Sequence, residues 1–242
     1  FGTERVEEEL EILMPELRIG RLDLDSTKGK YGFDRIISAF DDHQYDVLIG
    51  TQMVAKGLDF GRVSLIGILN ADTIINFPEF RAYERAFSLF SQVAGRAGRR
   101  QVQGKVIIQT YTPNHRVIEQ VVNHDYQGMF MKEVTERKNF AYPPFYRIIK
   151  IDVKHPDQQQ TLDSAQKLAN LLRASLGSRI LGPEPPLVSR VRNHFIQTIT
   201  LKIERTNISI NKVKELIRTA ILHFELDKLN AGVRIVIDVD PY

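Results

Sequence analysis

The 242-residue sequence contains no cysteine, so disulfides and thiolate metal sites are excluded from it. It has no Gly-x-x-x-x-Gly-Lys-[Ser/Thr] phosphate loop, no dinucleotide fingerprint and no Ser-His-Asp grouping. A nucleotide-binding or metabolic enzyme complete in this chain therefore finds no support. There is no signal peptide, lipidation motif or apolar run long enough for a membrane span. Acids are also missing locally. None occurs between Arg85 and Arg116, where Arg96, Arg99, Arg100 and Lys105 are all cationic. None occurs from Pro185 to Ile203, a run that carries Arg190, Arg192 and Lys202. Either run offers a cationic surface to a polyanion.

What is present is globular. Hydrophobic residues make up 43% and charged residues 26%, enough for a buried core, so disorder is not the default. The length suits two domains. The formal charge of +3 permits nucleic acid as a partner without requiring it.

The informative stretch runs from Asp46 to Arg99. Val47–Gly50 reads as a buried strand running into Thr51-Gln52-Met-Val-Ala-Lys56-Gly57-Leu-Asp59. A second strand, Leu65–Leu69, runs into Asn70-Ala71-Asp72. Such strands describe an open α/β sheet with its site at the strand ends. Pro78 opens a helix expected from Glu79 to Val93, with Tyr83, Phe87 and Phe90 on one core face. The stretch closes on Gln92-Val-Ala-Gly95-Arg96-Ala-Gly98-Arg99. Its arginines stand one helical turn apart, among small residues that let a ligand approach the backbone. An arginine fork there suits phosphate oxygens, and its charge does not titrate away. Taken alone, Thr51 and Gln52 could be plain turn residues and Lys56 a solvated side chain.

In order, these segments resemble motifs V and VI of a superfamily 2 helicase, the second of form Q-x-x-G-R-x-G-R. GTQMVAKGLDF followed by PEFRAYERAFSLFSQVAGRAGR is similar to the replication-restart helicases of the primosomal protein N′ family. That family more often has Asp-Ala-Asp where this chain has Asn70-Ala71-Asp72. The resemblance implies a RecA-like second motor lobe, P-loop NTPase type with a mainly parallel sheet, over residues 1–140. Within it, Arg99 would be the arginine finger on the ATP γ-phosphate, with Arg96 beside it and Gln92 orienting it. Gly57, Asp59 and Gly95 would also line the ATP site, and Thr51, Gln52 and Lys56 would meet DNA. Mg²⁺ would be held by acids of a first lobe absent from this chain. A zinc-binding cysteine segment would lie just upstream of Gly2-Thr3-Glu4-Arg5, which reads as the start of an excised fragment. Asp72 reads as a turn or coupling residue.

Elsewhere, Thr3 is expected to cap a helix over Glu4–Leu13, and Leu17–Leu24 to form a strand ending in a polar cluster. Tyr31–Phe40 is an amphipathic helix, Lys105–Tyr111 a strand, and Arg116–Asn123 and Tyr126–Lys138 helices. His115 and His124 belong to no ligand constellation and are expected on the surface. Ala141-Tyr-Pro-Pro-Phe145 breaks the helix and reads as a linker. After it come strand Tyr146–Val153, helix Gln158–Leu176 and strand Arg179–Leu181, which resumes from Leu187 to Arg192. Strand Phe195–Ile203, helix Ile210–Phe224 and strand Val233–Val239 complete the chain. This β-α-β-β-α-β order suggests a smaller α+β ferredoxin-like domain over residues 141–242. Arg190 and Arg192 share parity on a strand and would present one DNA-binding face.

By resemblance, the parent protein would be an ATP-dependent 3′-to-5′ DNA helicase that recognises stalled or forked DNA and initiates primosome assembly. Forked or single-stranded DNA, single-strand DNA-binding protein and other primosome proteins would be its partners, in the bacterial cytoplasm and nucleoid. This fragment would be inactive alone. Two other readings are a second lobe of a different superfamily 2 translocase and a DNA-binding module without chemistry.

Overall fold

The computed structural model describes residues 2–23, 27, 32–51, 63–97 and 104–241. The chain forms two compact units, residues 1–131 and 132–242, and is α/β in class.

In the first unit, helix α1 (Thr3–Leu13) precedes strand β1 (Ile19–Leu22), helix α2 (Gly32–Asp41) and strand β2 (Val47–Gly50). β1 and β2 pair in parallel, Ile19 opposite Val47 through Leu22 opposite Gly50. Asp46 starts this register: its carboxylate takes two bonds from the Arg18 guanidinium, at 2.9 and 2.7 Å, and a third from the Arg18 backbone amide. Those bonds hold the Asp46 carboxyl well below the ordinary carboxylate range. Leu22 is fully buried, with Phe33, Ile36, Ile37, Phe40, Leu48 and Val63 packed against it. The apolar face expected of α2 therefore covers this pair.

Thr3 does not cap its helix. Gly2 holds the N-cap position without a side-chain bond, and the Thr3 hydroxyl donates instead to buried Asp23 at 2.6 Å. The ion pair from Arg21 to Asp23, and those from Arg21 to Glu4 and Glu7, draw α1 onto the end of β1. A tertiary partner outcompetes the local cap because Asp23 is buried and needs donors.

A second parallel pair joins strand β3 (Leu65–Ile68) to strand β4 (Lys105–Ile108). Helices α3 (Asp72–Ile75), α4 (Ala82–Ala94), α5 (Arg116–Val122) and α6 (Tyr126–Asn139) follow in chain order around β4. Their core contains Ala71, Ile75, Ala86, Phe87, Phe90, Val117, Ile118, Val121 and Met129. Phe87 and Phe90 lie in it as expected, with Tyr83 packed at its edge. α4 starts three residues later than its periodicity suggests. Arg81 sits at φ −99°, ψ 4°, outside the helical region, and Glu79 is turned to an ion pair with Arg85.

The second unit has one sheet of β5 (Tyr146–His155), β6 (Ile180–Glu184), β7 (Arg190–Val191), β8 (His194–Glu204) and β9 (Arg234–Val239). Its order is β6-β8-β5-β9, with antiparallel neighbours and β7 paired to β8. Helices α7 (Gln158–Leu176) and α8 (Ile210–Glu225) supply the other layer. Alternate residues of the central strands, Ile149, Ile151 and Val153 with Ile199, Leu201 and Ile203, meet Leu168, Leu172, Val213, Ile217 and Phe224 of the helices. Asp157 caps α7 by accepting from the Gln160 amide at 2.7 Å. No helix among the described residues is long and apolar enough to cross a membrane.

Candidate functional site

Helix α4 carries the described part of the arginine motif. Its core face (Ala86, Phe87, Phe90) is buried, which turns Gln92 outward and leaves the helix to end among small residues. Gly95 is the C-cap at φ −66°, ψ −3°, its amide bonded to Ser91 O at 3.0 Å. A Cβ there would lie 3.3 Å from that same carbonyl, so the tightened last turn suits glycine. Arg96 and Ala97 continue the turn through bonds to Val93 O and Ala94 O.

At this helix end Ser91 Oγ and Arg96 Nε are buried and, among the described residues, without a hydrogen-bond partner. A buried unpaired donor on a charged group is costly, so an arginine left this way is suited to receive an anion. Gln92, Gly95 and Arg96 are thus brought together on one helix end. Thr51 is exposed at the carboxyl end of β2. Gln52, Lys56, Gly57, Asp59 and Arg99 lie outside the described residues.

Asp72 does more than close a turn. It opens α3, and its buried carboxylate gathers the carboxyl end of β4. Tyr111 N donates to it at 3.0 Å, Thr110 Oγ1 at 3.0 Å and Thr112 Oγ1 at 3.2 Å. These bonds, the backbone one foremost, hold its carboxyl below the usual range against the opposing effect of burial. Asn70 beside it adopts φ 55°, and its amide donates to Gln109 Oε1. Asparagine tolerates that left-handed backbone, which explains a short polar residue at position 70. The detectable signal was the Thr-x-Thr at 110–112, whose hydroxyls need an acceptor.

His115 is not a free surface residue. Its Nδ1 accepts from Val117 N at 3.3 Å to cap α5, and its ring lies 5.3 Å from the Tyr83 ring. Partial burial, aided by Arg116, lowers its pKa. His124 is exposed.

In the second unit Arg190 and Arg192 do not lie on one strand as expected. β7 ends at Val191, and Arg192 and Asn193 take φ 47° and 61° as the centre of a two-residue hairpin turn. The turn removes Arg192 from the strand's period. Arg190 lies over the Phe195 ring, 4.9 Å from its centroid, while Arg192 stands at the tip. Leu187 and Val188 beside them are exposed. Among the described residues no three His, Cys, Asp or Glu side chains cluster as a metal site.

Comparison with known proteins adds the context. Residues 2–101 match the helicase conserved C-terminal domain, and residues 138–242 match the primosomal protein N C-terminal domain. Over 243 aligned residues and 100% of its length, the chain is 38% identical to the replication restart protein PriA of Bacillus subtilis (strain 168). It is 36% identical to that of Treponema pallidum (strain Nichols) and 35% to that of Chlamydia pneumoniae, in each case over 99% of the chain. It spans 30%, 36% and 31% of these relatives' lengths.

Proposed function

The chain belongs to the replication restart protein family, and from that premise we propose that it is the second motor lobe and C-terminal domain of an ATP-dependent 3′-to-5′ DNA helicase. The first unit is then a RecA-like lobe. Its two parallel strand pairs and the ligand-ready arginine at the end of α4 support this. The second unit is a ferredoxin-like sandwich, a reading supported by its 2-3-1-4 antiparallel order and two helices. In this reading the first domain runs to residue 140 and the second begins at 141, later than the division of the two compact units at 131 and 132. The observation that carries the proposal is Arg96 Nε, buried and, among the described residues, unpaired at the end of α4.

In this reading Arg99 contacts the γ-phosphate as charge develops on it, and Arg96 stands beside it. Gln92 orients the pair, and Gly57, Asp59 and Gly95 complete this lobe's side of the ATP site. An arginine finger is worth ~10³–10⁵ in turnover in nucleotide hydrolases. Thr51, Gln52 and Lys56 hold a strand phosphate, so opening and closing of the ATP site moves the lobe along DNA. Arg190 on β7 and Arg192 at the hairpin tip add contacts to the DNA backbone. The described acids are not clustered for Mg²⁺, and the chain has no cysteine for zinc, so no metal step is assigned to its residues. Forked DNA, single-strand DNA-binding protein and other primosome proteins are the partners of the parent protein, in the cytoplasm and nucleoid.

The test is ATP hydrolysis by this chain and by the full-length protein, each with and without forked DNA. The full-length protein should turn over with DNA stimulation and the chain alone should not. DNA-stimulated hydrolysis by the chain alone would refute the half-site.

A further inference from the structure

Among the described residues Tyr111 is the most exposed large apolar or aromatic side chain, at 91%. An exposed tyrosine is commonplace on a mobile loop. This one stands on a turn that is pinned from below. Its own amide and the hydroxyls on both sides of it converge on the Asp72 carboxylate. Thr112 N is bonded in turn to Thr110 Oγ1 at 3.1 Å. Behind the turn, Gln109 is stitched into the end of β3, its amide to Ile68 O and its carbonyl to Ala71 N. The fold thus uses a buried carboxylate to fix a Thr-Tyr-Thr turn whose only large outward group is an aromatic ring.

Placement and chemistry narrow what such a ring would meet. It sits just beyond the carboxyl end of β4, the end at which α/β sheets bind ligands. The exposed residues that follow it, Thr112, Pro113 and Asn114, are uncharged. No acid occurs in sequence from Arg85 to Arg116. The acid brought there in space, Asp72, is buried beneath the turn with both oxygens engaged. The exposed residues after the ring thus offer a phosphate no charge, whereas the flat face of a base needs none.

We propose that Tyr111 is a stacking platform for an unpaired nucleobase of single-stranded DNA. This rests on the motor-lobe reading and goes beyond its phosphate contacts. A ring held in place loses little freedom on binding, and stacking tolerates any base because every base has a π-face.

The experiment compares full-length protein with its Tyr111→Ala and Tyr111→Phe variants on oligothymidylate and on an abasic strand of equal length. Tyr111→Ala should weaken oligothymidylate binding by about 5- to 150-fold, the range that stacking of one base supplies. Tyr111→Phe should restore it. The slope of log affinity against log salt should not change, because no phosphate contact is lost. On the abasic strand, wild type and Tyr111→Ala should bind alike. Equal loss on both strands would assign the ring a structural role, and unchanged oligothymidylate affinity would remove it from the DNA path. Either result overturns the proposal and leaves the motor lobe standing. A loss confined to ATP affinity would assign the ring to adenine and overturn the DNA source. Wild-type protein that binds no single strand would overturn both readings.

Discussion

Replacing Phe90 by alanine tests how the arginine-bearing helix end is held. Phe90 is fully buried, among Ala71, Ile75, Phe87, Val117, Ile118, Val121 and Met129. Returning a buried phenylalanine to water costs about 1.5–3 kcal/mol in transfer alone. The cavity left behind adds to this, and measured Phe→Ala losses run to about 3–5 kcal/mol. Against a domain stability of about 5–15 kcal/mol, this leaves the unit folded but opening often. Hydrogen exchange read by mass spectrometry resolves where. Amides of Ala82–Ala94 and Arg116–Val122 should exchange about 10²- to 10³-fold faster or more, as 3–5 kcal/mol requires. Amides of β5 and β8, which belong to a separate core, serve as the internal reference. Phe90→Leu should show a smaller change of the same pattern. Acceleration below about tenfold, the equivalent of 1.4 kcal/mol, would mean that this cluster does not anchor α4.

Three further outcomes follow from particular groups. Replacing Arg190 and Arg192 together by alanine should flatten the salt dependence of DNA binding by about two units of log–log slope, and an unchanged slope in a fluorescence titration would take the hairpin out of the DNA path. Glu204 accepts from Arg179 at 2.6 Å, a bond that holds its carboxyl below the ordinary range. A depressed acid stabilises the fold above its unfolded pKa, about 4.3, and loses that contribution as pH falls. Glu204→Gln should therefore lower urea stability at pH 7 and matter little near pH 2, and an equal loss at both would refute the pairing. Burial likewise lowers His115, so acidification below about 6.5 should destabilise the first unit, and His115→Asn, which can still cap α5, should remove that pH step.

The sequence was most readable where a single period governs an element. α7 spans Gln158–Leu176, as its amphipathic pattern sets it, and β2 spans Val47–Gly50. Helix starts departed from their patterns where a side chain is claimed by a partner other than its own helix cap. Thr3 abandons its helix for Asp23, and Glu79 turns to Arg85 and delays α4. Arg192 departs from its strand's parity because two left-handed residues close the hairpin, and Arg-Asn carries no glycine to announce it. At the site, Gln92, Gly95 and Arg96 stand at the end of α4, which runs to Ala94, close to the expected end at Val93. The Asp72 hub was hidden because its donors come from 38 to 40 residues downstream, a distance at which no local pattern operates.

In the proposed motor, this chain completes another lobe's ATP site with an arginine. Single-turnover hydrolysis by full-length Arg99→Ala, measured beside its ATP affinity, tests it most directly. The hydrolysis rate should fall about 10³-fold or more with affinity little changed, because a finger acts mainly in the transition state. Arg99→Lys should recover little, since an ammonium does not reproduce the planar fork. Hydrolysis at near wild-type rate in Arg99→Ala would contradict the claim.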